Sequence, residues 1–275
     1  MAFTATRAKD VKLTIWRPFL VLVLREIRRL RKEAAGFVMK IAIITLSTVF
    51  VFDFVLPQLG GQSLGVTQGY ATVLAPGMVA VATCNQAFTS ALTAVSLDFG
   101  PLRRIDQALM APLPVPLIAL TRIVDGTLRG VLAACVALPI VAFVHAPGAP
   151  PVLDLTRWPF LLGTVVGAAI LFAALGIVVG TAVNPGKVSN VLPFGLPVMI
   201  MLGCVYYPWA ALGPLPWLQY VVLANPVVYI TEATRFAITP QLGHLPESAL
   251  LWTIGVGLIL TTAVGLTRFT IQARP

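Results

Sequence analysis

Apolar runs with few or no charges recur along this chain at lengths of 20 to 28 residues, separated by polar or proline-bearing breaks. A bilayer's hydrocarbon core of about 30 Å is crossed by roughly 20 helical residues, so runs of this length predict membrane spans. They fall at 37–56, 70–97, 117–144, 158–183, 188–207 and 248–267. The pattern predicts an all-α membrane protein: one six-helix transmembrane domain over 37–268, a polar N-terminus over 1–36 and a tail over 269–275.

Ahead of the first run the pattern changes to a helical stripe. Trp16, Leu20, Val23, Ile27 and Leu30 recur every three or four positions, while Arg25, Arg28, Arg29 and Lys32 share the other face. This is an amphipathic helix. Its uninterrupted apolar stretch, 18–24, is too short to cross a bilayer, and its basic face suits anionic headgroups, so an interfacial placement is expected. The N-terminus is too polar and basic for a secretory leader, and the first span is expected to be retained.

The polar residues within and between runs are few. Lys40 and Asp53 mark opposite ends of the first span, and Asn85 and Gln86 sit near the middle of the second, which is long enough to tilt or to break at Pro76 and Gly77. The segment 98–116 is charged and closed by three alternating prolines, the pattern of a short helix between spans. Arg122, Asp125 and Arg129 follow at helical spacing, where ion pairing lowers the cost of entering the membrane. Gly163, Gly167, Ala168, Ala174 and Gly176 suit close helix packing. Residues 208–247 are apolar but cut by Pro208, Pro214, Pro216 and Pro226, so two short re-entrant helices are expected there rather than a span.

Composition removes the soluble alternative: 58% of the 275 residues are hydrophobic and 11% charged, against roughly 45–50% and about 25% in soluble domains. The net charge of +9 reads as topology and not as nucleic-acid binding, because ten of the 19 basic residues precede Ile41. Of the others, Arg103, Arg104, Arg122, Arg129, Lys187, Arg268 and Arg274 fall on the same side of a six-span arrangement, and only Arg157 and Arg235 fall outside. Both termini are therefore expected on the cytoplasmic side of an inner membrane. Cys84, Cys135 and Cys204 lie inside apolar runs and read as packing residues, and His145 and His244 have no partners at ligand spacing, so no metal is expected.

Three features in fixed order resemble the permeases of type-2 ATP-binding-cassette exporters, of the daunorubicin-resistance and multidrug kind. They are the basic helix F-L-V-L-V-L-R-E-I-R-R-L-R-K-E, the pair L-A-P-G-M at 74–78 with D-F-G-P-L-R-R at 98–104, and N-P-V-V-Y-I-T-E-A-T-R at 225–235. The second departs from the family's usual glutamate, with Asp98 in its place ahead of Gly100 and Arg104. The resemblance implies a half-transporter that pairs with a second permease copy, as a homodimer, and binds two copies of a cytoplasmic ATPase that carry ATP and Mg. No cofactor is expected on this chain, which has no G-x-x-x-x-G-K-[ST] phosphate loop.

The same resemblance implies a coupling helix in 98–113, with Asp98, Gly100, Arg103, Arg104 and Asp106 at the ATPase contact. The alternative there is an ordinary solvated loop. Asn225 and Pro226 suit a helix start. With Tyr229, Glu232 and Arg235 they form the exterior motif, and the last two, three residues apart, can pair as a gate. Asn85 and Gln86 either meet cargo or bond a neighbouring helix. Tyr206, Tyr207, Trp209, Trp217, Tyr220 and Tyr229 form either an interfacial belt or a sugar-stacking exit.

Few fixed polar groups in the spans favour a hydrophobic or amphipathic cargo, a drug or a lipid. The rival cargo is a polysaccharide or glycolipid, whose permeases carry a basic-aromatic pattern ending in Leu-Gly that 31–40 lacks. A membrane-embedded enzyme would need a nucleophile with a base or paired acids at catalytic depth, and none stands out. A channel or scaffold without ATP coupling shares the composition and is distinguished by its indifference to ATPase loss.

Overall fold

The computed structural model describes residues 3–55, 70–100, 105–106, 110, 113–145 and 150–273, with side chains from 17 onward apart from 189–194. Among them the chain is helical, with no strand. Helix α1 runs from Phe3 to Val49 and continues as a π-helical turn, Phe50–Val55. It is followed by α2 (Tyr70–Phe99), α3 (Val115–Phe143), α4 (Trp158–Ala182) and α5 (Val188–Met201). The chain ends with the short α6 (Pro216–Val221), α7 (Pro226–Ile238) and the long α8 (Glu247–Gln272).

Five helices are long and apolar enough to cross a membrane, as the apolar runs require, and the chain is a multi-pass membrane protein. The centre is α2, packed against α3 and α4 and covered on a further face by α7, while α8 packs mainly on α4. Close approach there depends on missing side chains. A Cβ at Gly176 of α4 would lie 2.6 Å from the Phe88 carbonyl of α2, and one at Gly126 of α3 would lie 2.8 Å from the Ala173 methyl. With Ala87, Ala91, Ala169 and Ala173 fully buried, the three helices meet as a small-residue contact that dispersion and backbone proximity stabilise where no hydrophobic effect operates between lipid and helix.

Two expectations change. The basic helix is no separate interfacial element, because α1 passes through 33–37 without a break. The intervening Ala34, Ala35 and Gly36 include no proline, and nothing lies within 4 Å of the Gly36 position to bend it. The expected span 188–207 is helical only to Met201, after which Leu202–Pro208 form turns. Cys204 takes a positive φ of 51°, which turns the chain away from the helix axis, and the freed carbonyls are met from α7. Pro76 lies within α2 without ending it, and the helix continues on both sides.

The 208–247 region contains the expected short helices. The stretch Pro216–Ala224 and α7 meet at a bend of 99° beside Asn225. Neither piece alone is long enough to cross.

Candidate functional site

At the end of the bundle where α2 stops and α3 starts, the basic end, carboxylates and guanidinium groups knit three helices together. Asp98, 1% exposed, accepts two hydrogen bonds from Arg122 of α3, from Nε and Nη2, each at 2.8 Å. Arg122 Nη1 also donates to Glu26 of α1 at 3.2 Å, and Glu26 is buried. Further along α3, Arg129 donates to Asp125 at 3.2 Å and to Glu33 of α1 at 3.4 Å. Arg29 donates to Glu33 at 3.0 Å and holds that carboxyl below the usual carboxylate range. The guanidinium of Arg129 lies over the Phe37 ring, 5.9 Å from its centroid.

Charged groups near a membrane are tolerated when each meets its opposite, and a planar guanidinium can serve two acids at once. The expected pairing among Arg122, Asp125 and Arg129 is therefore only partly local. Arg129 and Asp125 pair along α3, whereas Arg122 reaches across to α1 and α2.

This geometry relocates Asp98. The sequence places it at the docking surface, but the side chain is turned inward and anchors the end of α2 to α3. Gly100 follows at the point where the chain leaves α2, and a Cβ there would collide with the Ser96 carbonyl. Ser96 donates to the Pro185 carbonyl at 3.4 Å, tying the same end of α2 to the turn before α5. Beyond Gly100, Ile105 and Leu113 are buried in the main core while Asp106 is exposed, so these two apolar side chains anchor inward and the Asp106 charge faces outward. Arg103 and Arg104 lie outside the described residues. Arg28 is exposed, and Arg25 is largely exposed with its Nη2 3.5 Å from Glu26.

Between α1, α2 and α3, just inside the network, is a cavity of about 370 Å³. Its polar wall includes Arg29, Lys40, Gln86, Thr93, Asp125 and Arg129. Gln86 is buried and lines this cavity, whereas Asn85, half-buried, is not part of the wall.

At the opposite, distal end, α7 holds the broken end of α5. The Asn225 side chain accepts from Val227 N at 3.0 Å, capping α7 with Pro226 in its first turn, and its Nδ2 donates to the Met199 carbonyl at 2.6 Å. Thr231 donates to the Gly203 carbonyl at 2.7 Å, and Arg235 Nη2 donates to the Cys204 carbonyl at 3.1 Å. Glu232 pairs with Arg235 and accepts from Trp209 N at 3.0 Å. Both side chains of the pair are 0% exposed, so it sits inside the protein and not at a water-facing mouth. Tyr229 is half-buried against the same cluster. Of the six aromatics, Trp217 and Tyr220 are exposed, Tyr206 stacks on Phe52 at 4.8 Å, and Trp209 Nε1 donates to the Gln219 carbonyl at 3.2 Å.

Sequence reasoning passed over Glu26, Glu33, Thr231 and Cys204. The two glutamates stand 96 residues from the α3 arginines they meet, and Cys204 contributes a backbone carbonyl, which no residue type announces. Among the described residues no cluster of His, Cys, Asp and Glu is arranged to hold a metal.

A family model described as the ABC-2 type transporter matches residues 17–239. The inner membrane transport permease YadH of Escherichia coli strain K12 is 28% identical over 231 residues, covering 80% of this chain and 81% of that protein. YadH of Shigella flexneri is similar to the same extent. The matched stretch takes in the basic part of α1, the anchored end of α2, the cavity and the α5–α7 clamp together, and the chain belongs to the ABC-2 type transporter family of membrane permeases.

Proposed function

We propose that the chain is the permease subunit of an exporter that moves a hydrophobic or amphipathic small molecule, a drug or a lipid, out of the cytoplasm or inner leaflet. Its energy comes from ATP and Mg bound on a separate ATPase, two copies of which serve a pair of permeases, with a homodimer as the simplest arrangement. The basic end is the cytoplasmic one, since ten basic residues precede Ile41 and Lys and Arg are retained on that side.

The observation that carries this reading is the anchoring of segment 98–116. It begins at Asp98, fixed to Arg122 and through it to Glu26, and its Ile105 and Leu113 are buried while Asp106 faces out. A segment held by apolar pegs and a shared guanidinium passes a push at its surface on to α1, α2 and α3 together. Its outward charges, with Arg103 and Arg104, are the contact for the ATPase. A channel or scaffold has no need of such a lever. Gly100 lets the segment leave α2 sharply, and Arg25 and Arg28 border the docking face or meet lipid headgroups.

Co-purification tests this reading. The tagged chain, extracted from its native membrane in mild detergent, should carry a nucleotide-binding ATPase at one-to-one stoichiometry by mass spectrometry. Arg103→Glu with Arg104→Glu should release it while insertion persists. Repeated absence of an ATPase under stabilising conditions would replace the exporter by a channel or scaffold.

A further inference from the structure

The cavity at the basic end has a charge pattern that its walls do not themselves balance. Arg29 and Arg129 share Glu33, and Arg129 also takes Asp125, so two cations and two acids satisfy one another. Lys40 is the third cation on the wall, is exposed, and makes no ion pair among the described residues. The cavity is thus left with one positive charge in excess, about 21 Å along α1 from Glu26 and so near the level of Gln86 on α2.

The α2 wall is a polar stripe. Gln86, Ser90 and Thr93 recur at helical spacing on one face, which Leu97 closes, and from Leu97 near the end of α2 down to Gln86 is about 16 Å, half a bilayer core. Ser90 donates to the Gln86 carbonyl at 2.6 Å and Thr89 to the Asn85 carbonyl at 2.7 Å, within α2 itself. Each hydroxyl can turn to a ligand at small cost, because the carbonyls it leaves already belong to the helix.

The cleft also opens sideways. Helix α1 leans on α3 and meets α2 only sparsely, and the cavity occupies the gap between α1 and α2. The two rims, Lys40 on α1 and Thr93 on α2, are both exposed. Next to the Lys40 rim α1 presents Met39, Ile43 and Ile44, at 64%, 57% and 48% exposure, to its surroundings. An apolar track thus runs beside a polar, cationic slot. The volume of about 370 Å³ falls in the range of about 300–1,000 Å³ usual for small-molecule sites.

We propose that this cleft takes the phosphate-bearing headgroup of an amphiphile, entering sideways from the inner leaflet. The headgroup moves along the α2 stripe, and the acyl or other apolar part stays in lipid against α1. Lys40 supplies the unmatched charge, Arg29 and Arg129 add donors without losing Glu33, and Thr93 and Gln86 offer hydrogen bonds at successive depths. An acceptor-rich phosphate uses several donors at once, which suits this spread better than the two oxygens of a carboxylate. The inference rests on the exporter reading and names the class of its cargo.

The test uses the permease, with its ATPase where one accompanies it, in phosphatidylcholine nanodiscs. A spin-labelled phosphatidic acid and the matching phosphatidylcholine are added at trace level, and the immobilised fraction of each is read from its spectrum. The wild-type chain should hold phosphatidic acid about fivefold better than phosphatidylcholine, the preference one basic side chain gives at a membrane surface. Lys40→Glu and Thr93→Leu should each remove that preference, and Lys187→Gln, on the exposed turn before α5, should keep it.

Because Lys40 is exposed and makes no ion pair among the described residues, its loss does not threaten the fold, and Thr93→Leu blocks the slot without touching a charge. Equal retention of both lipids by the wild-type chain overturns the proposal, as does an unchanged preference in Lys40→Glu. Displacement of the phosphatidic acid by millimolar inorganic phosphate would make the ligand a soluble anion and overturn the lipid assignment. A disulfide between two copies carrying Lys40→Cys would put the second protomer across the cleft and overturn sideways entry from lipid. ATPase co-purification does not depend on Lys40, so a lost lipid preference with the ATPase still bound removes the headgroup assignment alone. An absent ATPase with the preference intact removes the exporter reading alone.

Discussion

Arg122 and Asp98, on different helices and 24 residues apart, meet in a two-pronged ion pair with both nitrogen–oxygen distances at 2.8 Å. Asp98 is 1% exposed, and the remaining Nη1 of Arg122 is bonded to Glu26. Removing the guanidinium leaves two buried carboxylates facing each other. Breaking a buried pair from one side costs about 3–5 kcal/mol, so Arg122→Ala should lower the thermal midpoint of the detergent-solubilised chain more than any change at the exposed Arg28. Arg122→Lys keeps the charge and loses the fork, and should fall between them. A midpoint for Arg122→Ala equal to that of Arg28→Ala would show that the pair adds no net stability.

The α5–α7 clamp makes a second prediction, because its members act as a unit. Arg235→Met strands the Glu232 carboxylate with, among the described residues, the Trp209 N–H as its one remaining partner, a loss of about 3 kcal/mol or more. Glu232→Gln combined with Arg235→Met removes both charges, keeps an acceptor for Trp209, and should recover part of that loss. Thermal unfolding of the parent, the two single variants and the double variant in one detergent reads the coupling directly, and strict additivity would mean that the two side chains do not depend on each other.

Packing supplies a third. A valine at Gly176 would drive into the Phe88 backbone at the α2–α4 contact, and overpacking of this kind costs about 1–3 kcal/mol. Gly163 lies on the same helix with nothing within 4 Å, and Gly163→Val should stay within about 0.5 kcal/mol of the parent. The difference between the two variants, in midpoint or in yield of folded protein, isolates the contact from any effect of valine on the helix itself.

The sequence was informative where the physics is local. Apolar length marks α2, α3, α4 and α8, and Asn225 followed by Pro226 announces the start of α7, because capping depends only on neighbouring residues. It was silent where partners are distant. Nothing near Asp98 says that its charge is met by Arg122, and a coupling pattern read in one dimension turns it outward. The early end of α5 was also hidden, since 188–207 is uncharged throughout and the helix stops where Thr231 and Arg235, some 30 residues on, hold its broken end by donating to Gly203 and Cys204. Gln86 carried a usable clue, one of two adjacent amides in a small-residue helix, but only the gap between α1 and α2 says which of them faces it.

The unbroken course of α1 separates it from a helix that merely rests on the membrane. Glu26 and Glu33, bound to Arg122 and Arg129, lie on the same rod as the first span, so a displacement of segment 98–116 at the basic end reaches Val49 without a hinge. Proline inside a helix costs about 3 kcal/mol and bends it, and Ala35 is exposed, between the second ion pair and the membrane span. Ala35→Pro should therefore leave the ATPase bound and hydrolysing while transport of a fluorescent cargo in proteoliposomes falls at least about tenfold, with Ala35→Leu close to the parent. Transport by Ala35→Pro at the parental rate would mean that α1 bends in the working cycle and that the push travels through α2 and α3 alone.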